Sequence, residues 1–376
     1  MEIINLNSQI QNNRSSNFEL LRIVAMFMIV ACHYCAHGIR HLLTPELSSI
    51  WLEGIQANRL FTSFLINGGD IGNGIFFLLT GYFMFGKEYK IRRLVKLLGQ
   101  VYFYAFFIIL IFFVLRAFNI YKFSEFSSMS KLMLIINAII PITSGSWWFI
   151  QTYIILFLFI PVINGFLEKL NSKSFIAVLC LIWVFWLLPK TIGFWYSNLQ
   201  MAIFFYILGA GLKKSNLKIN KFVYLISFCI IWGLLSLIDI TSSHLIDNTT
   251  MNNKILKMFY TAASMTILTP LAVVCLFEFF KNLNMKNHKL INIIASTTFG
   301  IYLIHDSSIG RTLICTKIFH CLDYQYNSVY FPLFAILTAS LVFISCSIID
   351  YLRQLFIEKR IISFMNKIID SFTKEK

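Results

Sequence analysis

The first apolar stretch of the chain carries two side chains whose types and spacing suit joint chemistry. Arg22 and His33 are eleven residues apart; in a helix this is about 16 Å of rise, and eleven steps of about 100° bring both side chains to nearly the same face. Glu19 and His37 extend this face. A cation at one end with an imidazole deep along the same face favours an anionic, elongated reactant. The alternative is structural, since a single His often bonds a neighbouring helix and an Arg near a helix end reaches the interface.

A second group of chemically useful residues lies between positions 71 and 96. Arg93 and Lys96 are three residues apart and share one helix face, so together they can bind phosphate oxygens. Just before them, Thr80 can bond back to its own helix, and nearby glycines allow another backbone to approach closely. Both groups need helices to hold them in place.

The composition indicates that these helices lie in a membrane. Hydrophobic residues make up 58% of the 376-residue chain and charged residues 13%, whereas soluble domains carry roughly 25% charged residues. This excludes intrinsic disorder and a disulfide scaffold. The net charge is +15, but the basic residues do not form a patch on a polar, soluble domain. Nucleic acid is therefore not expected as a partner. We interpret the chain as a multi-pass protein of the cell membrane, with membrane lipid around it.

Ten apolar stretches are long enough, or nearly so, to cross a membrane. A hydrocarbon core of about 30 Å takes roughly 17–25 helical residues, and a sheet or loop would leave backbone groups without partners in lipid. The predicted fold class is therefore all-α, a polytopic membrane protein with about ten transmembrane helices. They are predicted near residues 19–38, 66–86, 94–115, 147–167, 174–189, 192–212, 221–240, 255–280, 290–308 and 329–350. Met129–Thr143 is predicted as an interfacial or re-entrant helix.

The basic residues test this number of spans independently. If both chain ends are cytoplasmic, every short inside segment is basic, as the positive-inside rule requires, and most of the 32 Lys and Arg residues are inside. The positive-inside rule is also the alternative to phosphate binding as the explanation for the charges of Arg93 and Lys96. We expect a cytoplasmic tail over residues 1–17 without a cleavable signal peptide, one membrane domain over 18–351, and an amphipathic tail over 352–376 on the cytoplasmic leaflet.

The eight cysteines lie mostly within apolar stretches, where a thiol usually serves as a small apolar side chain. Cys315 and Cys321 share a predicted outside loop and are the pair placed to form a disulfide. Cys32 and Cys35 form a CxxC pattern in a membrane helix with no second pair, so no metal is expected.

The beginning of the chain resembles a known family of membrane proteins. NFELLRIVAMFMIVACHY is similar to the start of acyltransferase family 3, which carries Arg or Lys, ten residues and then His. Arg22 and His33 fit this spacing, and Glu19 stands where an acidic residue is usual. IFFLLTGYFMF resembles the family's FF-x-x-SGY/F segment, with Thr80 in place of Ser. RRLVK resembles its RxxR motif, with Lys96 in place of the second Arg. Lysine keeps the positive charge but lacks the planar guanidinium that binds an anion through two parallel hydrogen bonds.

The resemblance continues through the rest of the chain. SWWFIQTYIILFLFIPVIN is similar to the family's fourth-span pattern of Trp, Tyr and Pro, here Trp148, Tyr153 and Pro161. STTFGIYLIH is similar to its late YLIH element, which ends at His305. The five motifs follow the family's order from about residue 17 to residue 351, and this order is more specific than any one motif.

The resemblance implies an enzyme, an O-acyltransferase that uses acyl-CoA. Family members usually move an acetyl group from cytoplasmic acetyl-CoA to a hydroxyl of an extracytoplasmic or lipid-linked glycan; capsular or cell-wall polysaccharide is the preferred acceptor here. The polyphosphate head of the donor would rest on Arg22, Arg93 and Lys96, and its thin arm would point towards His33. His33 would act either as a general base on the acceptor hydroxyl or as a nucleophile that carries the acyl group.

Further residues are candidates for lesser roles. His305 would either orient the acceptor or brace neighbouring helices. The developing oxyanion also needs hydrogen-bond donors. The candidates for this role are Asn73, Thr80, Trp148 and Tyr153.

Two other classes of function are compatible with the pattern. Polar groups at mid-membrane also mark the substrate path of a transporter or flippase, although such proteins have discontinuous spans in paired halves. A non-catalytic component of glycan assembly is the third class. For an enzyme, we expect the acceptor to contact the membrane domain and outside loops such as Ile39–Arg59 and Arg116–Ser146.

Overall fold

The described residues of the chain form helices and contain no strand. In the computed structural model they are residues 15–44, 56–120, 147–192, 197–215, 219–245, 264–324 and 327–374, with isolated residues between 47 and 54, 136 and 142, and 253 and 262. The helices of the first part are α1 (Ser16–Gly38), α2 (Gln56–Met84), α3 (Ile91–Ala117), α4 (Trp148–Leu167), α5 (Ser172–Ile192), α6 (Ser197–Lys214) and α7 (Lys221–Leu245). Those of the second part are α8 (Thr269–Lys281), α9 (Lys289–Ser296), α10 (Thr298–His305), α11 (Ser308–Thr312), α12 (Cys321–Tyr324), α13 (Phe331–Phe356) and α14 (Glu358–Lys374).

Several of these helices have the length and apolarity needed to span a bilayer. Within the described part of the chain, six segments qualify: Ser16–Leu42, Ile91–Ala117, Trp148–Leu167, Lys221–Thr241, Ser264–Lys281 and Phe331–Phe356. The prediction of an all-α protein with membrane helices is confirmed at this level. The number ten and the cytoplasmic position of both ends stay predictions. Most of Met129–Thr143 and of Arg116–Ser146 lies outside the described residues.

The predicted ninth span differs from expectation, because it is not one continuous helix. α9 ends at Ser296, α10 begins at Thr298, and Thr297 lies between them. The hydroxyls of these three residues donate to backbone carbonyls three positions earlier, at 2.7, 2.7 and 2.8 Å. Such bonds compete with the helical ladder. The short helix α10 is therefore a separate element, and it carries Tyr302 and His305.

Glycines of helix α2 allow the backbones of α1 and α6 to pack closely against it. A Cβ at Gly72 would approach the Ala25 carbonyl oxygen of α1 to 2.6 Å, and a Cβ at Gly81 would overlap the backbone of Tyr206 in α6. Neither position can hold a larger side chain without moving a backbone, as is common where membrane helices pack closely. Asn73, next to Gly72, is thereby fixed beside α1.

A buried polar cluster joins α13 to α3 near the start of α14. The fully buried carboxylate of Asp350 accepts hydrogen bonds from Gln100, Tyr104 and Arg353 at 3.1, 2.7 and 2.7 Å. Arg353 also pairs with Glu358, the first residue of α14, at 3.1 Å. Removing one partner of such a buried pair costs roughly 3–5 kcal/mol. The cluster therefore fixes where α14 begins.

The cysteines make no covalent link in the structure. All eight are free thiols, including Cys315 and Cys321, which are both buried. These two side chains lie 3.0 to 3.4 Å from the position that a Cβ would take at Gly38 of α1. They contribute tight packing against the end of α1.

Candidate active site

A large cavity opens among α1, α2, α3, α4, α9, α10, α13 and α14. Its volume is about 1270 Å³, above the roughly 300–1,000 Å³ that is common for small-molecule sites. All five motif segments contribute to its wall, through residues such as Arg22, Thr80, Arg93, Tyr153 and Tyr302. Segments far apart in sequence therefore meet around one space, and this space can hold a ligand larger than an ordinary metabolite.

The cavity wall is strongly cationic. Its basic side chains are Arg22, Arg93, Lys96, Lys289, Arg353, Lys359 and Lys367. Among the described residues of the wall, the one carboxylate belongs to Glu358. A concentration of positive charge in a cleft attracts anions and favours a polyanionic ligand such as a chain of phosphates.

The three predicted phosphate ligands lie together in this wall. The Arg22 guanidinium is paired with Glu19 at 2.9 Å and lies 5.9 Å from the Phe83 ring centroid. Lys96 pairs with Glu358 at 2.5 Å. Within the described part of the chain, Arg93 has no carboxylate partner, so its guanidinium has the most capacity for an added anion.

The inner end of the cavity is apolar and aromatic. Met26 and Ile29 of α1 line it, together with Phe149 of α4 and Tyr302 of α10, whose ring centroids are 5.7 Å apart. This part of the wall suits a thin, uncharged segment of a ligand. The charge of the ligand would stay at the wide end.

The two predicted histidines lie just beyond this inner end. His33 follows Ile29 by one turn of α1, and His305 follows Tyr302 by one turn of α10. Both histidines line a second, small space of about 20 Å³, which also touches Arg311. The structure thus places the imidazoles next to the large cavity, separated from it by about one helical turn.

The two histidines are in direct contact and their hydrogen bonds fix which nitrogen carries hydrogen. His305 Nδ1 is 2.6 Å from the Ile301 carbonyl oxygen, which only accepts, so Nδ1 carries the hydrogen and Nε2 of the neutral ring accepts. His33 Nδ1 is 2.9 Å from that Nε2 and 3.1 Å from Oδ1 of Asp306. His33 therefore donates from Nδ1, and in the neutral ring its Nε2 keeps a lone pair.

Asp306 is the residue of this cluster to which the sequence pattern assigned no role. Its carboxylate is fully buried, and Oδ1 accepts from Arg311 Nε and Nη2 at 2.9 and 2.8 Å. A carboxylate behind Nδ1 of an imidazole is the arrangement that orients the base in Ser-His-Asp hydrolases. An acidic residue directly after the YLIH element was the available signal. The contact itself spans chain positions too distant for helical spacing to predict.

The same cluster has a spacing that could hold a metal ion. The ligand atoms of His33, His37 and Asp306 lie within 4.8 Å of one another. The two hydrogen bonds from Arg311 already neutralise the shared carboxylate oxygen, which opposes a second cation there. The absence of a metal stays a prediction.

The oxyanion candidates differ in how well they can donate into the cavity. Asn73, Thr80 and Tyr153 line it, and Trp148, at the start of α4, does not. The Thr80 hydroxyl donates to the Phe76 carbonyl oxygen at 2.8 Å, so its hydrogen is already used within α2. Asn73 and Tyr153 are the candidates that this geometry leaves best placed.

Most of the chain matches a known protein family. The family model of an acyltransferase domain, that of acyltransferase family 3, matches residues 15–351. The chain belongs to this family. No curated protein and no solved structure matches it.

Family membership gives the cavity an enzymatic context. The chain is a membrane acyltransferase, and the matched region includes every predicted site residue from Glu19 to His305. The resemblance seen in the five short motifs is therefore confirmed at the level of the family. The match also favours acyl transfer over the transporter and assembly alternatives.

Proposed function

We propose that this acyltransferase moves an acetyl group from cytoplasmic acetyl-CoA to a hydroxyl of an extracytoplasmic or lipid-linked glycan at the cell membrane, with His33 as general base. Capsular or cell-wall polysaccharide is the acceptor class. One observation supports this above the others: a single cationic cavity narrows to an apolar end one turn from His33, which contacts the buried Asp306 carboxylate.

The shape and charge of the cavity match this donor. Acyl-CoA has a polyphosphate head and a thin arm that ends in the thioester. Arg22, Arg93 and Lys96 would bind the phosphates at the wide end. The arm would pass between Met26 and Phe149 towards the inner end. The cationic end of the cavity thereby matches the polyphosphate head, and the apolar end matches the thin arm.

The proposed chemical step uses the lone pair on His33 Nε2. Nε2 takes the proton of the acceptor hydroxyl while the oxygen attacks the thioester carbonyl carbon. The tetrahedral intermediate collapses with loss of the CoA thiolate, and His33 returns its proton to the sulfur. Base catalysis of this kind is worth about 10²–10⁴-fold in rate. Asp306 would hold the ring and stabilise the imidazolium formed on the way.

Two further requirements follow from the geometry. The layer formed by Ile29 and Tyr302 must open for the thioester to reach His33, since one turn of helix is about 5 Å of rise. The oxyanion needs a donor on the cavity side, and we assign this to the Asn73 amide, because it lines the wall beside α1.

The test is acetylation of surface glycans in cells that carry variants of the protein. His33→Ala is expected to abolish acetylation measured by mass spectrometry. The matched control is His288→Ala, which removes an exposed imidazole outside the site and should leave acetylation unchanged. Normal acetylation in the His33 variant at normal protein abundance would refute the catalytic assignment. An acetyl group trapped on His33 of the wild-type protein with a slow acceptor would instead indicate a covalent intermediate.

A further inference from the structure

The C-terminal helix α14 presents one polar face to the cationic cavity. The wall includes Glu358, Lys359, Ile362, Ser363, Asn366 and Lys367, which recur at the spacing of one helix face. On another side of the helix, Ile361 and Met365 pack onto Gly99 of α3, 2.8 and 3.4 Å from the position that a Cβ would take there. The sequence pattern predicted that α14 lies on the leaflet; the structure also gives it a contact with α3 and a share of the cavity.

Glu358 links this helix to the candidate phosphate ligands. Its carboxylate contacts Lys96 Nζ at 2.5 Å and Arg353 Nη2 at 3.1 Å. The Glu358 side chain is 19% exposed and that of Lys96 is 56% exposed. Glu358 therefore holds, from inside the wall, a cation that a phosphate of a ligand would also bind.

The lysines of the same face have the opposite character. Lys359 and Lys367 line the cavity, and neither has a carboxylate partner within the described part of the chain. They lie about two turns apart along the helix. Two such cations on one wall can contact phosphates that lie along it, while Arg93 and Lys96 contact them from the α3 side.

We propose that α14 is the second wall of the donor site: Lys359 and Lys367 bind phosphates of the acyl-CoA head, and Glu358 is an internal competitor that the donor displaces from Lys96. This rests on the proposed function, because it names ligands for the same donor. The anchoring of Glu358 by Arg353 lets the carboxylate move off Lys96 without detaching the helix, since Arg353 is held by buried Asp350.

The proposal predicts affinity changes of opposite sign on one helix. Glu358→Gln removes the competitor and should tighten CoA binding roughly three- to fivefold, because exposed ion pairs are individually weak. Lys359→Gln and Lys367→Gln should each weaken it by about the same factor, through loss of one charge-assisted contact. The readout is the dissociation constant of CoA for the purified full chain in nanodiscs of uncharged lipid, so that anionic headgroups do not compete.

Matched controls separate these contacts from general electrostatics. Arg360→Gln removes an adjacent cation that is not part of the wall, and Glu88→Gln removes an exposed acid whose partner is Lys90 at 3.2 Å. Both should leave CoA affinity within about twofold of wild type, since solvent screens charges outside the cavity. Lys359→Gln equal to Arg360→Gln, or no tightening in Glu358→Gln, would overturn the proposal.

The design also distinguishes the two proposals from each other. If wild-type protein binds CoA and Arg93→Gln weakens it while the α14 variants do not differ from their controls, only the role of α14 fails. If wild-type protein does not bind CoA, the donor assignment itself fails, and the role of α14 fails with it. Affinity for anionic vesicles that falls in Lys359→Gln without any change for CoA would assign the helix to the lipid surface instead.

Discussion

The wide cavity and the histidine cluster beyond it share helices α1 and α10, but the two regions are built in opposite ways. The cavity wall places many cations around open space, and several of them, such as Arg93, have no carboxylate within the described residues. In the cluster, His33 contacts both His305 and Asp306, and Arg311 contacts Asp306, at 2.8 to 3.1 Å. Cations around open space suit a mobile polyanion, whereas a dense network around a buried carboxylate fixes the direction of one imidazole.

This difference leads to a separation of effects. Changes in the wide cavity should alter how well a donor binds, and changes in the cluster should alter how fast the bound donor reacts. Kinetics can resolve the two, because a change in kcat alone reports the transition state and a change in KM alone reports ground-state binding. Variants of the two regions therefore test the comparison directly.

The largest effect is expected from loss of His33, the proposed general base. His33→Gln should lower kcat by about 10²–10⁴-fold, because no group remains to take the hydroxyl proton. Its affinity for CoA should stay within about twofold, since His33 lies beyond the cavity wall. Both quantities are measured on one preparation, by acetyl transfer and by CoA binding. A parallel loss of CoA affinity would mean that the two regions are not separate.

The second effect concerns Asp306, whose carboxylate contacts the proposed base His33. Asp306→Asn should lower kcat by roughly 10²-fold or more, because the amide can hold His33 in the wrong tautomer. The substitution also leaves the partly exposed Arg311 guanidinium without its buried carboxylate partner, which lowers thermal stability. The double variant Asp306→Asn, Arg311→Gln removes that unpaired charge. We expect it to recover thermal stability and not activity; recovery of both would limit Asp306 to a structural role.

His33 and Asp306 show which parts of the site could be predicted from the sequence and which could not. The alignment of Arg22 and His33 follows from helical periodicity, which is local, and the cation pair at 93 and 96 follows in the same way. The contact of His33 with His305 joins positions 272 residues apart, and no periodicity reports such a pairing. Only the family's motif order suggested that these segments belong together. Asp306 was visible as an acid in an apolar stretch, but its partner was not.

The helices were predictable for a similar reason, and their interruptions were not. Apolar length predicts a helix in lipid, and the described residues bear this out as an all-α fold. At the break around Thr297, three hydroxyls form local hydrogen bonds to backbone carbonyls. The helix that follows packs its Gly300 against Asp350 of α13, a contact between distant parts of the sequence. The cavity face of α14 likewise depends on Gly99, which lets Ile361 approach α3.

A smaller effect is expected in the wide cavity. Arg93→Gln should raise the KM for acetyl-CoA by about tenfold, the loss of one charge-assisted phosphate contact, with kcat nearly unchanged. The control is Arg116→Gln, at the far end of the same helix α3 and outside the cavity wall. The measurement is initial rate against donor concentration at fixed salt. A fall in kcat with constant KM would place Arg93 in the chemical step instead.

The smallest effect tests the one basic position at which the chain departs from its family's motif. Lys96→Arg restores the second Arg of RxxR and adds a planar fork that can bind a phosphate through two hydrogen bonds. The same fork binds a carboxylate equally well, so Glu358 should hold the new guanidinium more tightly and cancel part of the gain. We therefore expect CoA affinity to rise by no more than about twofold to threefold in Lys96→Arg alone. In the Glu358→Gln background the same substitution should give a larger gain, measured as a double-mutant cycle. Additive effects would show that Glu358 and the donor do not compete for the side chain at position 96. The cavity wall would then be cationic without an internal carboxylate that the donor must displace.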